Sequence, residues 1–368
     1  MTMQRGYDPA ILVLAVVLTC FGLVMVYSSS SVIAVDKYHD GFHFLKRQGF
    51  FAVAGFALLA GFMRIDYRRW RKLAVPGLLL SALALILVLI PGIGAQVNGA
   101  SRWIQLPGFK FQPAEAVKLA MVIYVAHSLT KKKDKVKTFK LGILPYMIVL
   151  ALLLSLLLMQ PDLGSAMTLA IVAGLMLLAA GTRISHLLCI VLLSLPFLYY
   201  AVWHVAYRRR RIMAFLDPWQ DPTDTGFQII QSLIAFGTGG LFGNGLGEGK
   251  QKLFYLPEAH TDFIFSVVGE ELGFAGVLVI TAMFLMLVLR GIRTALHATD
   301  DFGRHLAFGI TTLLGLEAFI NIAVVMGLLP TKGLALPFVS YGGTSLLVTM
   351  AAVGILLNIS SQVKEKTP

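Results

Sequence analysis

The sequence predicts an all-α polytopic membrane protein, a bundle of about ten transmembrane helices with one long extracytoplasmic loop. Three observations carry that prediction. Only 14% of the 368 residues are charged and 57% are hydrophobic, where a soluble protein carries roughly 25% charged residues. Apolar runs repeatedly reach the ~20 residues that cross a hydrocarbon core as a helix, and the mean hydropathy is +0.78. The loops rich in Lys and Arg alternate along the chain, as they do in multi-pass proteins. One bundle in lipid absorbs the whole chain, so residues 1–368 are expected to form a single domain.

The spans centre near Val17, Ala54, Leu83, Met121, Ala151, Ile171, Leu192, Ala275, Leu316 and Leu347. Only Arg5 is basic before the first, and no small-residue cleavage site follows it, so it reads as a retained helix and not as a signal peptide. Gln160-Pro161-Asp162-Leu163-Gly164 is a tight turn between the fifth and sixth, because its Pro and Gly cannot continue a helix. Cys20 and Cys189 lie in apolar segments without metal-ligand spacing and imply no disulfide framework.

The basic stretches Arg64–Lys72, Lys131–Lys140, Arg183, Arg290–Arg304 and Lys364–Lys366 fall on one side, which should be cytoplasmic. An even number of spans then leaves both termini inside. The net charge of +12 is explained by this loop bias, so nucleic acid is not an expected partner. Arg208-Arg209-Arg210-Arg211 opens the long loop of about 207–262 on the other side, where the charge rule does not apply. Those arginines read either as a solvated run or headgroup anchor, or as an anion clamp whose forks match phosphate oxygens. Phe227 to Phe236 reads as an amphipathic interfacial helix. The glycine-rich Gly237–Gly249 has no strand-to-helix setting for a nucleotide loop and reads as a mobile lid or access loop.

Asp262, in Pro257-Glu258-Ala259-His260-Thr261-Asp262-Phe263, is the strongest functional candidate, since an acid at the mouth of a membrane helix is costly to desolvate. Three other clusters face the same side. The first joins Arg102 to Glu115 and Lys118, whose i, i+3 spacing also fits a structural ion pair. The second is Gln160 with Asp162, an acid also suited to capping the sixth span. The third is the Pro/Gly-broken stretch from Pro330 to Ser345, with Lys332 and Ser340; irregular backbone at membrane depth implies a wet cavity. An acid among cations suits an anionic lipid: the cations hold a diphosphate and the carboxylate takes a proton from an attacking hydroxyl. On the residues alone this means a membrane enzyme or transporter acting on a lipid phosphate.

The whole chain resembles the SEDS family (shape, elongation, division and sporulation) of bacterial peptidoglycan glycosyltransferases. The resemblance rests on Phe111-Gln112-Pro113 with Glu115 and Lys118, the 160–164 turn, Arg208 to Arg211 with Phe215-Leu216-Asp217-Pro218, Pro257 to Phe265, and Pro330 to Ser345. Gly269-Glu270-Glu271-Leu272-Gly273 and Pro330-Thr331-Lys332-Gly333-Leu334 look closer to the division and sporulation members than to the elongation member. Ala114 and Ala116 stand where relatives often have Ser and Leu. The resemblance implies polymerisation of lipid II at the outer face of the bacterial cytoplasmic membrane by a single inverting displacement, with Asp262 as general base. It implies Arg208, Arg210 and Lys332 on the diphosphate, with Arg102 and Ser340 also at the substrate, Glu115 and Lys118 organising the cavity, and His260 and Thr261 supporting the base. A divalent cation, Mg or Mn, is the one cofactor it admits. A class B penicillin-binding protein, a single-span transpeptidase, is the implied partner, along with other divisome or elongasome proteins and the membrane lipids. The competing readings are a lipid II flippase and a scaffold for a partner synthase.

Overall fold

The computed structural model describes residues 6–97, 100–106, 109–253 and 255–363. Ten of its helices sit on the ten predicted centres. They are α1 (Pro9–Tyr38), α2 (His43–Arg64), α3 (Trp70–Leu89), α4 (Pro113–Lys132), α5 (Leu144–Met159), α6 (Leu163–Ala179) and α7 (Ile184–Trp203). After two shorter helices, α8 (Ala206–Leu216) and α9 (Phe227–Gly239), come α10 (Ile264–Leu296), α11 (Asp301–Val325) and α12 (Gly343–Ser361). Seven of the ten helices are long and apolar enough by themselves to cross a membrane; α6 is shorter, and α2 and α4 carry charges such as Lys46, Arg47, Glu115 and Lys118. This is a multi-pass membrane protein.

Local chemistry sets the helix starts. Asp8 caps α1 by accepting from the Ala10 N–H at 2.9 Å, with Pro9 in the first turn. Asp300 caps α11 through the Gly303 N–H at 2.7 Å. Asp162 caps α6, accepting from the N–H of Ser165 at 3.1 Å and its hydroxyl at 2.8 Å. The core lies where α2 packs along α12, α10 along α11, and α4 and α6 against α11. In contrast, α7 buries none of its residues.

Two features depart from the sequence reading. A small antiparallel sheet, β1 (Gly94–Val97), β2 (Ala100–Leu106) and β3 (Phe109–Phe111) in that order, joins α3 to α4; Ile104 pairs with Gly94 on one side and Phe111 on the other. Short strands of a polar connection leave no signal comparable to a membrane span. Second, the glycine-rich segment, expected as a mobile lid or access loop, is docked by backbone hydrogen bonds. Helix α10 is broken at Gly273, and the loop backbone enters the break. Asn244 and Gly245 donate to the carbonyls of Glu270 and Glu271, each at 3.0 Å, while Phe274 and Ala275 donate to those of Gly240 and Leu241 at 2.9 and 3.0 Å. Backbone groups freed by the break are thereby satisfied, as an apolar setting requires. The stretch expected as a long loop thus holds α8, α9 and this docked segment; α9 is the predicted helix at Phe227, packed on α10 and α11.

Candidate functional site

Asp262 occupies the short turn before α10, and three elements fix it. Asn321 of α11 donates from its amide nitrogen to the Asp262 carbonyl at 2.8 Å and to the Leu334 carbonyl at 2.7 Å, tying the turn to the 326–342 loop. The Ser340 hydroxyl donates to the Thr261 carbonyl at 2.6 Å and accepts from the Leu336 N–H at 2.8 Å. Tyr341 donates its N–H to the His260 carbonyl at 3.0 Å, and Gln48 of α2 donates to the Ser340 carbonyl at 3.2 Å. The carboxylate is therefore carried on a turn sewn to α2, α11 and the last loop.

Cations gather around it. Arg102 of β2 is held by the carbonyls of Gln160 and Pro161, and Gly333 stands between it and the acid: a methyl group at Gly333 would lie 3.2 Å from Asp262 Oδ2 and 3.6 Å from Arg102 Nη1. Arg211 of α8 donates to the Thr331 carbonyl at 3.1 Å, stacks over the Tyr207 ring at 4.4 Å, and acts electrostatically on Asp262. Burial above all, with the charge of Glu258, pushes the Asp262 carboxyl up to about 7, against the opposing pull of Arg211 and Arg102. The residue as a whole is only partly buried, which leaves solvent close by to take up a proton. Lys332 turns its ammonium to the Met167 sulfur at 2.8 Å and has no carboxylate partner among the described residues. Burial lowers it to about 8, leaving a cation without a counter-ion beside the site.

The remaining sequence candidates separate into distinct places. Arg208 caps helix ends instead of facing Asp262, donating to the carbonyls of Ala201 at 2.9 Å and Leu158 at 3.4 Å. Arg210 is exposed, near Asp221. Glu115 and Lys118 do pair, at 2.8 Å, but Lys118 also binds Glu317 of α11, so the pair is a buried triad. Glu317 and Asn321 are one turn apart on α11, which places this triad roughly 6 Å along the helix axis from the contact to Asp262. The His260 ring packs against Phe44 and Tyr341, with centroids at 4.7 and 5.7 Å. Thr261 donates to Glu258 Oε2 at 2.7 Å, closing the turn.

Sequence reasoning missed Arg211, Asn321 and Glu317. Helix phase would have separated the arginine run, because Arg208 and Arg211 at i, i+3 share the inward face and Arg209 and Arg210 do not. Asn321 and Glu317 lie inside the predicted ninth span, where a polar residue already marks a functional candidate. Nothing of the metal-site kind accompanies them: among the described residues no group of three His, Cys, Asp or Glu could hold an ion. Two further carboxylates act on Asp262, those of Glu258 and Asp162, and Asp162 is committed to the cap of α6.

Fold and site together define a polytopic membrane protein that carries a partly buried carboxylate set among cations. The family described as cell cycle protein, FtsW/RodA/SpoVE, matches residues 9–365, and this chain belongs to it. It is 66% identical over 358 residues to a probable peptidoglycan glycosyltransferase FtsW of Geobacter metallireducens, covering 97% of this chain and 96% of that one. It is 42% identical to stage V sporulation protein E of Bacillus subtilis, over 98% of both chains. Among solved structures it superposes with TM-score 0.79 and 30% identity on a chain of a peptidoglycan synthase complex, solved for the structural coordination of polymerization and crosslinking, covering 96% of this chain and 97% of that one. The rod shape determining protein RodA of Thermus thermophilus matches with TM-score 0.72 and 27% identity over 98% of both.

Proposed function

We propose that this chain is a peptidoglycan glycosyltransferase that polymerises lipid II at the outer face of the bacterial cytoplasmic membrane. The observation that carries the reading is the Asp262 carboxylate on a turn pinned by Asn321 and Ser340, with Arg102 and Arg211 beside it. The acceptor hydroxyl gives its proton to Asp262 as its oxygen bonds to the anomeric carbon of the donor. The bond from that carbon to the diphosphate breaks in the same displacement, and its electron pair leaves on the diphosphate. A diphosphate needs cations more than a proton, and Arg102, Arg211 and Lys332 supply them, so one carboxylate suffices. A base lifted to about 7 accepts the proton more strongly than an ordinary aspartate while remaining substantially ionised near neutrality.

The partner we infer is a class B penicillin-binding protein, supported by the synthase complex to which the chain is structurally similar. The test is turnover of lipid II in detergent by the purified protein with that partner, comparing wild type with Asp262→Asn at equal folded amount. We expect glycan polymer from wild type and a rate lowered by a factor of about 10² or more in the variant. Equal polymer from both would remove Asp262 from the chemistry. Absence of polymer from wild type would favour a flippase, since transport has no meaning without a bilayer.

A further inference from the structure

The outward face of α8 forms a second site of different chemistry. Arg210 and Met213 are three residues apart and share a face of α8 that Arg211 leaves by one step, and Asp217 follows at the end of the helix. With Gln220, Asp221 and Thr225 they line a cavity of about 220 Å³. Its far wall is a tight fold of chain. Gly226 donates its N–H to the Asp221 carbonyl at 3.0 Å, and a side chain there would lie 2.0 Å from the Pro218 carbonyl.

The polar groups are held in place yet incompletely used. Asp217 Oδ1 accepts from the Trp219 N–H at 3.1 Å, and Asp221 Oδ2 accepts from the Thr225 N–H at 3.3 Å and hydroxyl at 3.0 Å. Asp221 is also reached by the Asp224 N–H, while Asp217 Oδ2, the Gln220 amide and the Arg210 guanidinium make no hydrogen bond among the described residues. The hydroxyl and N–H of Thr225 hold Asp221 below the usual carboxylate range, so it is an acceptor at neutral pH. Two arginines, Arg209 and Arg210, balance two aspartates in the lining, unlike the cation-rich surroundings of Asp262. Trp219, between two lining residues in sequence, is 64% exposed.

A charge-balanced pocket does not select a diphosphate. Fixed carboxylates, amide and guanidinium groups match ligands whose hydroxyls donate and accept at once, and an exposed indole offers its face to the C–H side of a sugar ring. We propose that this pocket is a carbohydrate subsite that binds the glycan chain about one helix diameter, roughly 10–12 Å, from the reaction centre. The proposal rests on the glycosyltransferase reading and adds to it the place where polymer is retained between transfers.

The test uses the detergent-solubilised complex with its partner. Binding of a fluorescently labelled, peptide-free peptidoglycan hexasaccharide is followed by anisotropy, and polymer length is read from the turnover assay. Asp221→Asn with Gln220→Ala, and separately Trp219→Ala, should each weaken hexasaccharide binding about tenfold. Polymer made by these variants should be several-fold shorter than that of wild type. Wild-type affinity and wild-type chain length in both variants would overturn the subsite, even where wild type polymerises normally. Hexasaccharide binding that depends on Trp219 in a protein that makes no polymer would keep the subsite and remove the transferase reading.

Discussion

At the scale of single residues, the site is governed by two ionisable groups displaced towards each other. Burial raises Asp262 to about 7 and lowers Lys332 to about 8. The base must be unprotonated and the diphosphate cation protonated, so activity rises as pH passes 7 and falls as it passes 8. The pH profile of kcat/KM, which reports the free enzyme, is therefore expected to be a narrow bell centred between those values. Lys332→Arg should erase the alkaline limb and leave the acid limb, because a guanidinium does not titrate there. The same displacement has a cost in stability. A native carboxyl raised above its unfolded value binds more protons than the unfolded chain, so its contribution is lost as pH rises towards 7. Asp262→Asn should accordingly raise the melting temperature at pH 8 while abolishing turnover, which thermal unfolding and polymer assays read separately. Gly333 makes a steric prediction at the same site. The added methyl of Gly333→Ala would crowd the Asp262 carboxylate and only touch Arg102, so kcat should fall about tenfold or more with folded yield preserved.

At the scale of elements, α10 and the segment in its break behave as one unit. Gly273 has φ +63° and Gly243 φ +80°, and a side chain on Gly243 would sit 2.1 Å from the Glu271 carbonyl. Both positions need glycine for conformation and for space. Side chains lock the unit: Glu270 accepts the Lys250 N–H at 2.7 Å, and buried Lys252 meets Glu271 at 2.7 Å and the Ser28 hydroxyl at 3.0 Å. Removing one member of a buried pair costs about 3–5 kcal/mol, so Glu271→Leu should lose folded protein, and Glu271→Leu with Lys252→Met should recover much of it. Gly243→Ala should lose folded yield without such rescue, and size-exclusion profiles in detergent check all three. This unit also marks where the sequence could be read and where it could not. The ten helices were legible because most are local runs of apolar residues, seven of them long and apolar enough to cross a membrane. The docked loop was not, because glycines signal freedom locally, and only the distant break at Gly273 shows what they pack against. Asp262, Arg102 and Lys332 were legible as charges at membrane mouths, whereas choosing Arg211 over Arg208 and Arg210 required the phase of a short helix inside an apparent loop.

At the scale of the whole molecule, chemistry depends on which side of the membrane the Asp262 turn faces. Arg64 to Lys72, Lys131 to Lys140 and Arg290 to Arg304 place their charge at one end of the helices. There Tyr67 and Arg68 bind Asp300 at 2.8 and 3.0 Å, joining the connection before α3 to the cap of α11. The Asp262 turn, α8, α9 and the sheet lie at the other ends of the same helices, since α10 runs from Ile264 beside Asp262 to Leu296 beside that basic network. The proposed function, with the bias in Lys and Arg, puts the Tyr67 end in the cytoplasm and the site on the outward side. Single cysteines decide this in intact cells, with Cys20 and Cys189 replaced by serine. Thr223→Cys, on the exposed turn after α8, should react with a membrane-impermeant maleimide, and Lys72→Cys should react only after permeabilisation. The reverse pattern would put Asp262 and its cations at the cytoplasmic surface. A polymerase facing inward would have to export its product through the bundle, so that result would leave the carboxylate chemistry intact but overturn its outward assignment.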